Sequence, residues 1–238
     1  MLHYLPDSLY VQNRLTQGGD TEFWLTPAEK QPLQQSARSH YHDPAPLCPA
    51  QHEEDPFLTL PWAYAQLRWL TDRLLDNDDS EQQLRALAGC LLKLANHAPA
   101  ATLAAGLLLP YPHYAHAHSV HVALLVARLA QRLELTEAEG ESLVCAALTM
   151  NIAMVSLQQQ LSHQAEALST LQTKQLRLHP LASSAMLREA GIADEIWHLA
   201  ILEHHEQWNG KGYPFGLPRN KISPGAHLLH VADVAMAR

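Results

Sequence analysis

Paired imidazoles beside a glycine-rich turn make His204-His205-Glu206-Gln207-Trp208-Asn209-Gly210-Lys211-Gly212-Tyr213-Pro214 the densest concentration of chemistry in this 238-residue chain. Neutral imidazole is the commonest protein ligand for transition metals, and glycines let backbone amides come close to an anion. His118, His179 and Asp233 sit, like His204 and His205, within or at the ends of apolar helical patterns. From four separate helices these five side chains could converge, which is how helical bundles build metal sites. Adjacent histidines on an ideal helix project about 100° apart. That angle points to two ions, or to one ion and a phosphate, rather than to one ion shared by His204 and His205. Without metal, the same imidazoles could persist as a hydrogen-bonded core network partnered by Asn151 and Asp233. His40, His42 and His52 fall in a polar stretch and read as solvated. His113 and His116 flank the start of a helix and read as caps or surface residues.

The elements that must position these residues are helical. Apolar residues recur at helical spacing from Leu60, through Trp62, Leu67, Leu70 and Leu74. Asp79-Ser80-Glu81 offers caps for a helix carrying Leu84, Leu87, Leu91 and Leu94. Further helices are expected over 115–133, 143–155, 168–178, 180–189, 194–207 and 226–238, with Thr136-Glu137-Ala138-Glu139 as a cap and first turn. No β-alternation occurs in this portion, so the expected fold is an all-α bundle over residues 59–238. Residues 1–58 read as a small N-terminal module and linker, with Leu9-Tyr10-Val11 and Phe23-Trp24-Leu25 as short strands. The last helical pattern has no C-cap glycine, which suggests a fragment.

A net charge of -8 argues against non-specific nucleic-acid binding, which depends on neutralising phosphates. A small anion needs only local positive charge, and Lys211, Arg219 and Lys221 supply it with no acid between them. Cys48, Cys90 and Cys145 form no C-x-x-C pair, and the latter two read as buried thiols. The apolar run 100–109 is far short of a membrane span. With no basic start and apolar core at the N-terminus, the expected location is the cytoplasm, without membrane association.

Residues from about 80 to 238 resemble the HD-GYP domain, the bacterial branch of the HD hydrolases that cleaves cyclic di-GMP. The resemblance rests on His118-Ser119-Val120-His121, Leu178-His179-Pro180, His204-His205-Glu206 with Gly210-x-Gly212-Tyr213-Pro214, and Val231-Ala232-Asp233. It implies an HD-type helical bundle, iron or manganese ligands at His118, His179, His204, His205 and Asp233, and a loop that meets ligand or partner. That loop comprises Gly210, Lys211, Gly212, Tyr213, Pro214, Arg219 and Lys221, and in the family its partners include diguanylate cyclases. Tyr213 could stack on a base, and Asn209 stands where the family usually has Asp.

The departures bear on activity. Where the family has the His-Asp dyad, this chain has Met150 and Asn151, and the lysine used near the scissile phosphate is Met154. Tyr114 stands where some members supply a further carboxylate. A thioether suits iron or manganese poorly, and Asn is a neutral bridge. At an effective dielectric of about 20, losing a charge contact near 4 Å corresponds to roughly 4 kcal/mol per unit of ion charge. His179, His204 and His205, with the Asn151 oxygen, could still hold one ion at reduced occupancy. The expectation is a catalytically inactive domain that binds cyclic di-GMP or a signalling protein; the alternative is a phosphodiesterase with residual activity.

Overall fold

The computed structural model describes residues 55–111 and 113–237, so the strands and linker expected within residues 1–54 lie outside the described residues. Helix α1 (Pro56–Asp72) begins four residues before the periodicity at Leu60 becomes legible. Asp55 accepts from the Phe57 amide at 2.9 Å, and Pro56 occupies the first turn, where its missing N–H is no loss. In α2 (Ser80–His97), Asp79 stands at the N-cap but makes no side-chain cap bond. The Ser80 hydroxyl instead donates to Leu74 and Asn77 carbonyls, tying α2 to the end of α1. The apolar run from Pro99 forms α3 (Pro99–Leu108), and α4 spans Tyr114–Arg132.

Helix α5 (Glu137–Thr149) opens with the expected capping box between Thr136 and Glu139. It ends at Thr149 rather than continuing to Val155. Thr149 Oγ1 donates to Cys145 O at 2.7 Å and accepts from Trp197 Nε1–H at 2.8 Å, so the last turn is held by side chains. Met150 and Asn151 form a turn before a 3₁₀ segment (Ile152–Met154) and α6 (Val155–Leu161). The stretch Glu137–Leu161 has the length and apolarity of a membrane span, yet it is broken at this turn and mostly buried in the bundle. Helix α7 (Thr170–Glu189) is capped by Ser169 and Gln172 and runs through Pro180, where the sequence suggested two helices. Helices α8 (Glu195–Glu203) and α9 (Pro224–Met236) complete the bundle, and no strand occurs among the described residues.

The α4–α5 pair is the most extensively packed, with α2, α8 and α9 around it. Leu84, Leu87, Leu91 and Leu94 on α2 share one core with Val122 and Val126 on α4, Val144 and Leu148 on α5, and the fully buried Trp197 on α8. Each such side chain contributes about 1.5–3 kcal/mol by leaving water. Cys90 and Cys145 are buried thiols, and burial pushes the Cys145 thiol far up. This core fixes the ends of α4, α7, α8 and α9 at one place.

Candidate metal centre

His179 sits on α7 immediately before Pro180. Proline has no N–H, so Leu176 O loses the helical donor it would have received four residues on. The His179 Nδ1–H takes that place, donating to Leu176 O at 2.6 Å. The helix therefore survives its proline, and the ring is fixed with hydrogen on Nδ1 and a lone pair on Nε2. His204 is built the same way: its Nδ1–H donates to Ile201 O at 2.6 Å. His230 Nδ1–H donates to His204 O, also at 2.6 Å, and holds the turn from α9.

The two Nε2 atoms lie 3.2 Å apart. With both Nδ1 hydrogens committed to carbonyls, neutral rings place two lone pairs against each other. A cation between them, either a proton or a metal ion, removes the repulsion. Burial disfavours the proton: His179 is lowered to about 3 by burial and then by the charge of His204, and His204 is lowered by burial. Two nitrogens bound to one metal at about 2.1 Å, at roughly 90–110°, are about 3.0–3.4 Å apart. His205 completes the group, with ligand atoms of all three histidines within 4.8 Å of one another. Burial also pushes the proton affinity of His205 far down.

Helix α8 ends at Glu203, and the two histidines lie in the following turn with ring centroids 4.1 Å apart. Both rings lie against His179, with centroids 5.2 and 5.0 Å from it, so the three can share one ion although His204 and His205 are adjacent in the chain. His118 and Asp233 pair beside this cluster, with His118 Nε2 2.8 Å from Asp233 Oδ1. Burial raises the Asp233 carboxyl, but the His118 hydrogen bond and the charges of His204, His118 and His179 outweigh it and bring the carboxyl down. His118 Nδ1 and Asn151 Oδ1 are buried and have no hydrogen-bond partner. Such atoms cost about 1–3 kcal/mol each unless a ligand or water meets them. Tyr114 stacks on His118 with centroids 5.7 Å apart.

The 3₁₀ segment packs on α7, and Ala153 N–H donates to Ser183 Oγ at 3.2 Å, one turn beyond His179. That contact brings the Asn151 turn to the face of α7 that carries His179. Met150 belongs to the apolar core cluster, and Met154 is also buried.

The glycine loop is organised by acids that sequence reasoning passed over. Glu206 is buried and accepts amides from Phe215 at 2.6 Å, Gly216 at 3.1 Å and Leu217 at 2.7 Å. Glu203 accepts the Ser223 amide at 2.7 Å. Gly210 has φ +71°, as a glycine turn requires, whereas Gly212 does not need positive φ. Its need is space: a Cβ there would lie 2.3 Å from Gln207 N and 2.4 Å from Glu206 Cα. Tyr213 stacks on His205, centroids 4.6 Å apart and planes at 24°, with the Arg177 guanidinium 5.7 Å over the ring. One face of Tyr213 is thus already covered by an imidazole. Arg219 lies 3.9 Å over Trp208, while Lys211 and Lys221 are exposed. His116, read as a cap or surface residue, is instead buried against Thr71 Oγ1 at 3.1 Å.

A family model described as HD domain matches residues 104–235, the span from α3 to α9 that carries every candidate ligand. The chain belongs to the HD domain family. It is 31% identical over 121 residues to the cyclic di-GMP phosphodiesterase PA4108 of Pseudomonas aeruginosa, which covers 51% of this chain and 29% of that protein. It is 27% identical over 120 residues to the cyclic di-GMP phosphodiesterase PdeB of Borreliella burgdorferi, covering 50% of this chain and 31% of that one. The chain thus matches less than a third of the length of either relative. Among solved structures, Bd1817, a HDG"Y"P protein from Bdellovibrio bacteriovorus, is similar with a TM-score of 0.57 and 19% identity. The match covers 85% of this chain and 64% of that one, and shows a shared fold.

His230, Glu206 and Arg177 were not singled out from the sequence. For His230 a signal existed, because it lies three residues before Asp233 on one helix face. The partners of Glu206 and Arg177 are loop atoms distant in sequence, and no spacing announces them.

Proposed function

We propose that this chain is a degenerate HD-GYP-type domain of bacterial cyclic di-GMP signalling. It binds the nucleotide, or a partner such as a diguanylate cyclase, without hydrolysing the nucleotide at an ordinary rate. One divalent ion, iron or manganese, is held by His179, His204 and His205 at reduced occupancy. The observation that supports the ion is the pair of facing Nε2 atoms, 3.2 Å apart with both Nδ1 hydrogens already used. An ion held by these three histidines would supply Lewis acidity toward a phosphate oxygen.

The same site argues against turnover. Asn151 offers no charge to bridge a second cation, Met150 lies in the apolar core, and Met154 brings no ammonium to the phosphate. His118 and Asp233 are engaged with each other. The remaining residues bind and orient: the two carbonyl contacts fix the imidazoles, and Glu206 fixes the loop that borders them. A second reading, residual cyclic di-GMP phosphodiesterase activity, is favoured by the intact three-histidine cluster and by the activity named for the two relatives.

Metal analysis of protein purified without chelator, followed by an assay for linear pGpG, tests the proposal. The expected result is no more than one ion per chain and no pGpG above background. Two ions per chain with turnover of about 1 s⁻¹, an ordinary low enzyme rate, would overturn it.

A further inference from the structure

We infer that Arg177 is the anion-binding residue at the rim of the imidazole cluster and takes a phosphate oxygen of the bound ligand. The inference rests on the nucleotide-binding reading above. The site lacks the lysine that would have met the phosphate, since Met154 is neutral and buried. A phosphoester held there needs a cation from elsewhere.

The loop cations are less well placed than the sequence suggested. The Arg219 guanidinium carbon lies 3.9 Å over the Trp208 ring, and Trp208 Nε1–H donates to His227 Nδ1, so Arg219 belongs to the side of the loop against α9. Lys211 and Lys221 are exposed on the loop. Arg177 differs. Its guanidinium carbon lies 5.7 Å over the Tyr213 ring, Tyr213 stacks on His205 at 4.6 Å, and His205 lies 5.0 Å from His179. The stack leads from an exposed guanidinium to the buried imidazoles without a gap.

Electrostatics favours the same residue. In a chain of net charge -8, α7 carries Lys174, Arg177 and Arg188 against a single acid, its last residue Glu189. Arg188 is paired with Glu195 at 3.0 Å, at the far end of the helix. A guanidinium resting on an aromatic face keeps its N–H edges free, and that fork matches two phosphate oxygens at once. With Tyr213 flanked by His205 and Arg177, the ring serves to brace the arginine rather than to stack on a base.

The test uses the full chain as purified, with Arg177→Ala, Arg177→Lys and Arg219→Ala. Metal per chain and Tm are measured while inorganic phosphate, and separately cyclic di-GMP, is titrated. Arg177→Ala should raise the apparent Kd for both at least about ten-fold, the order of one lost charge-assisted pair. Arg177→Lys should fall between, and Arg219→Ala should match wild type, with metal content unchanged in all. Absence of any Tm response in the wild type would overturn the inference, and so would an unaltered Kd in Arg177→Ala. A lower ligand-free Tm in Arg177→Ala with unaltered Kd would assign Arg177 a purely structural contact with Tyr213. Metal-free wild-type protein would instead sink the metal-centre reading, and the phosphate comparison would still report on Arg177.

Discussion

His179→Ala separates two contributions that the structure joins in one side chain. The Nδ1–H supplies the donor that Pro180 lacks, and its loss leaves Leu176 O without that partner. An unmet backbone acceptor costs about 1–3 kcal/mol. Removing a fully buried ring adds a cavity term, so the baseline loss is on the order of 2–5 kcal/mol. The Nε2 contribution exists only when metal is present. At a free metal concentration one hundred times Kd, binding to the native state alone stabilises it by about 2.7 kcal/mol. Urea unfolding in EDTA and in Mn²⁺ measures the two separately. Wild type should gain about 2.7 kcal/mol from metal at that concentration, and His179→Ala should gain close to nothing. His198→Ala is the control. His198 is equally buried, with contacts to Ile192 O and Ser184 Oγ at 2.9 Å each, but lies outside the cluster. It should lower the baseline and keep the metal increment. An undiminished metal increment in His179→Ala would refute the argument from facing lone pairs.

Met150→His with Asn151→Asp should raise metal from at most one ion per chain toward about two, as expected for a restored bridging carboxylate. Unchanged metal content would show that this turn does not supply the missing ligands, and pGpG release should need Met154→Lys as well. Glu206→Gln removes the charge that gathers three amides and should cost about 1.5–3 kcal/mol in urea unfolding. Faster hydrogen exchange at residues 215–217 should accompany it. Gly212→Ala forces a Cβ to 2.3 Å from Gln207 N, so a loss of roughly 2–4 kcal/mol is expected in the same assay. Acid unfolding tests Asp194. Burial raises its carboxyl, but hydrogen bonds from Ser142, the Trp197 amide and Arg85 outweigh that and hold it below the usual carboxylate range. Unfolded chains therefore take up this proton first. Its stabilisation is complete above the ordinary value of 3.8 and disappears as pH falls through the lower folded value. Asp194→Asn should flatten the pH dependence of Tm below about pH 4, and an unchanged slope would count against it.

What was legible in the sequence was what is local. The spacing of Leu84, Leu87, Leu91 and Leu94, and the Thr136–Glu139 box, need only neighbours within a turn or two, and the structure contains both. Pro180 misled, because a proline reads as a break unless one knows that the preceding imidazole bends back to replace the missing donor. His204 and His205 misled for a different reason. They stand at the end of α8, where the helix gives way to a loop and Glu203 and Glu206 accept amides 9 to 20 residues ahead. Contacts of that range leave no periodic trace, and the bracing of Arg177 by Tyr213 is of the same kind.

The choice between a metal-holding cluster and an inert core network turns on the count of hydrogens. A network of neutral imidazoles is stable when each ring both donates and accepts. His179 and His204 have spent their only hydrogens on Leu176 and Ile201 carbonyls, so the contact between them has two acceptors and no donor. Tautomer exchange does not mend this, since moving either hydrogen to Nε2 leaves a carbonyl oxygen facing a bare Nδ1 at 2.6 Å. Protonation would mend it, but burial makes that charge costly at both rings. An ion that brings its own positive charge and needs no hydrogen satisfies both lone pairs at once, and it leaves the two carbonyl contacts as they stand.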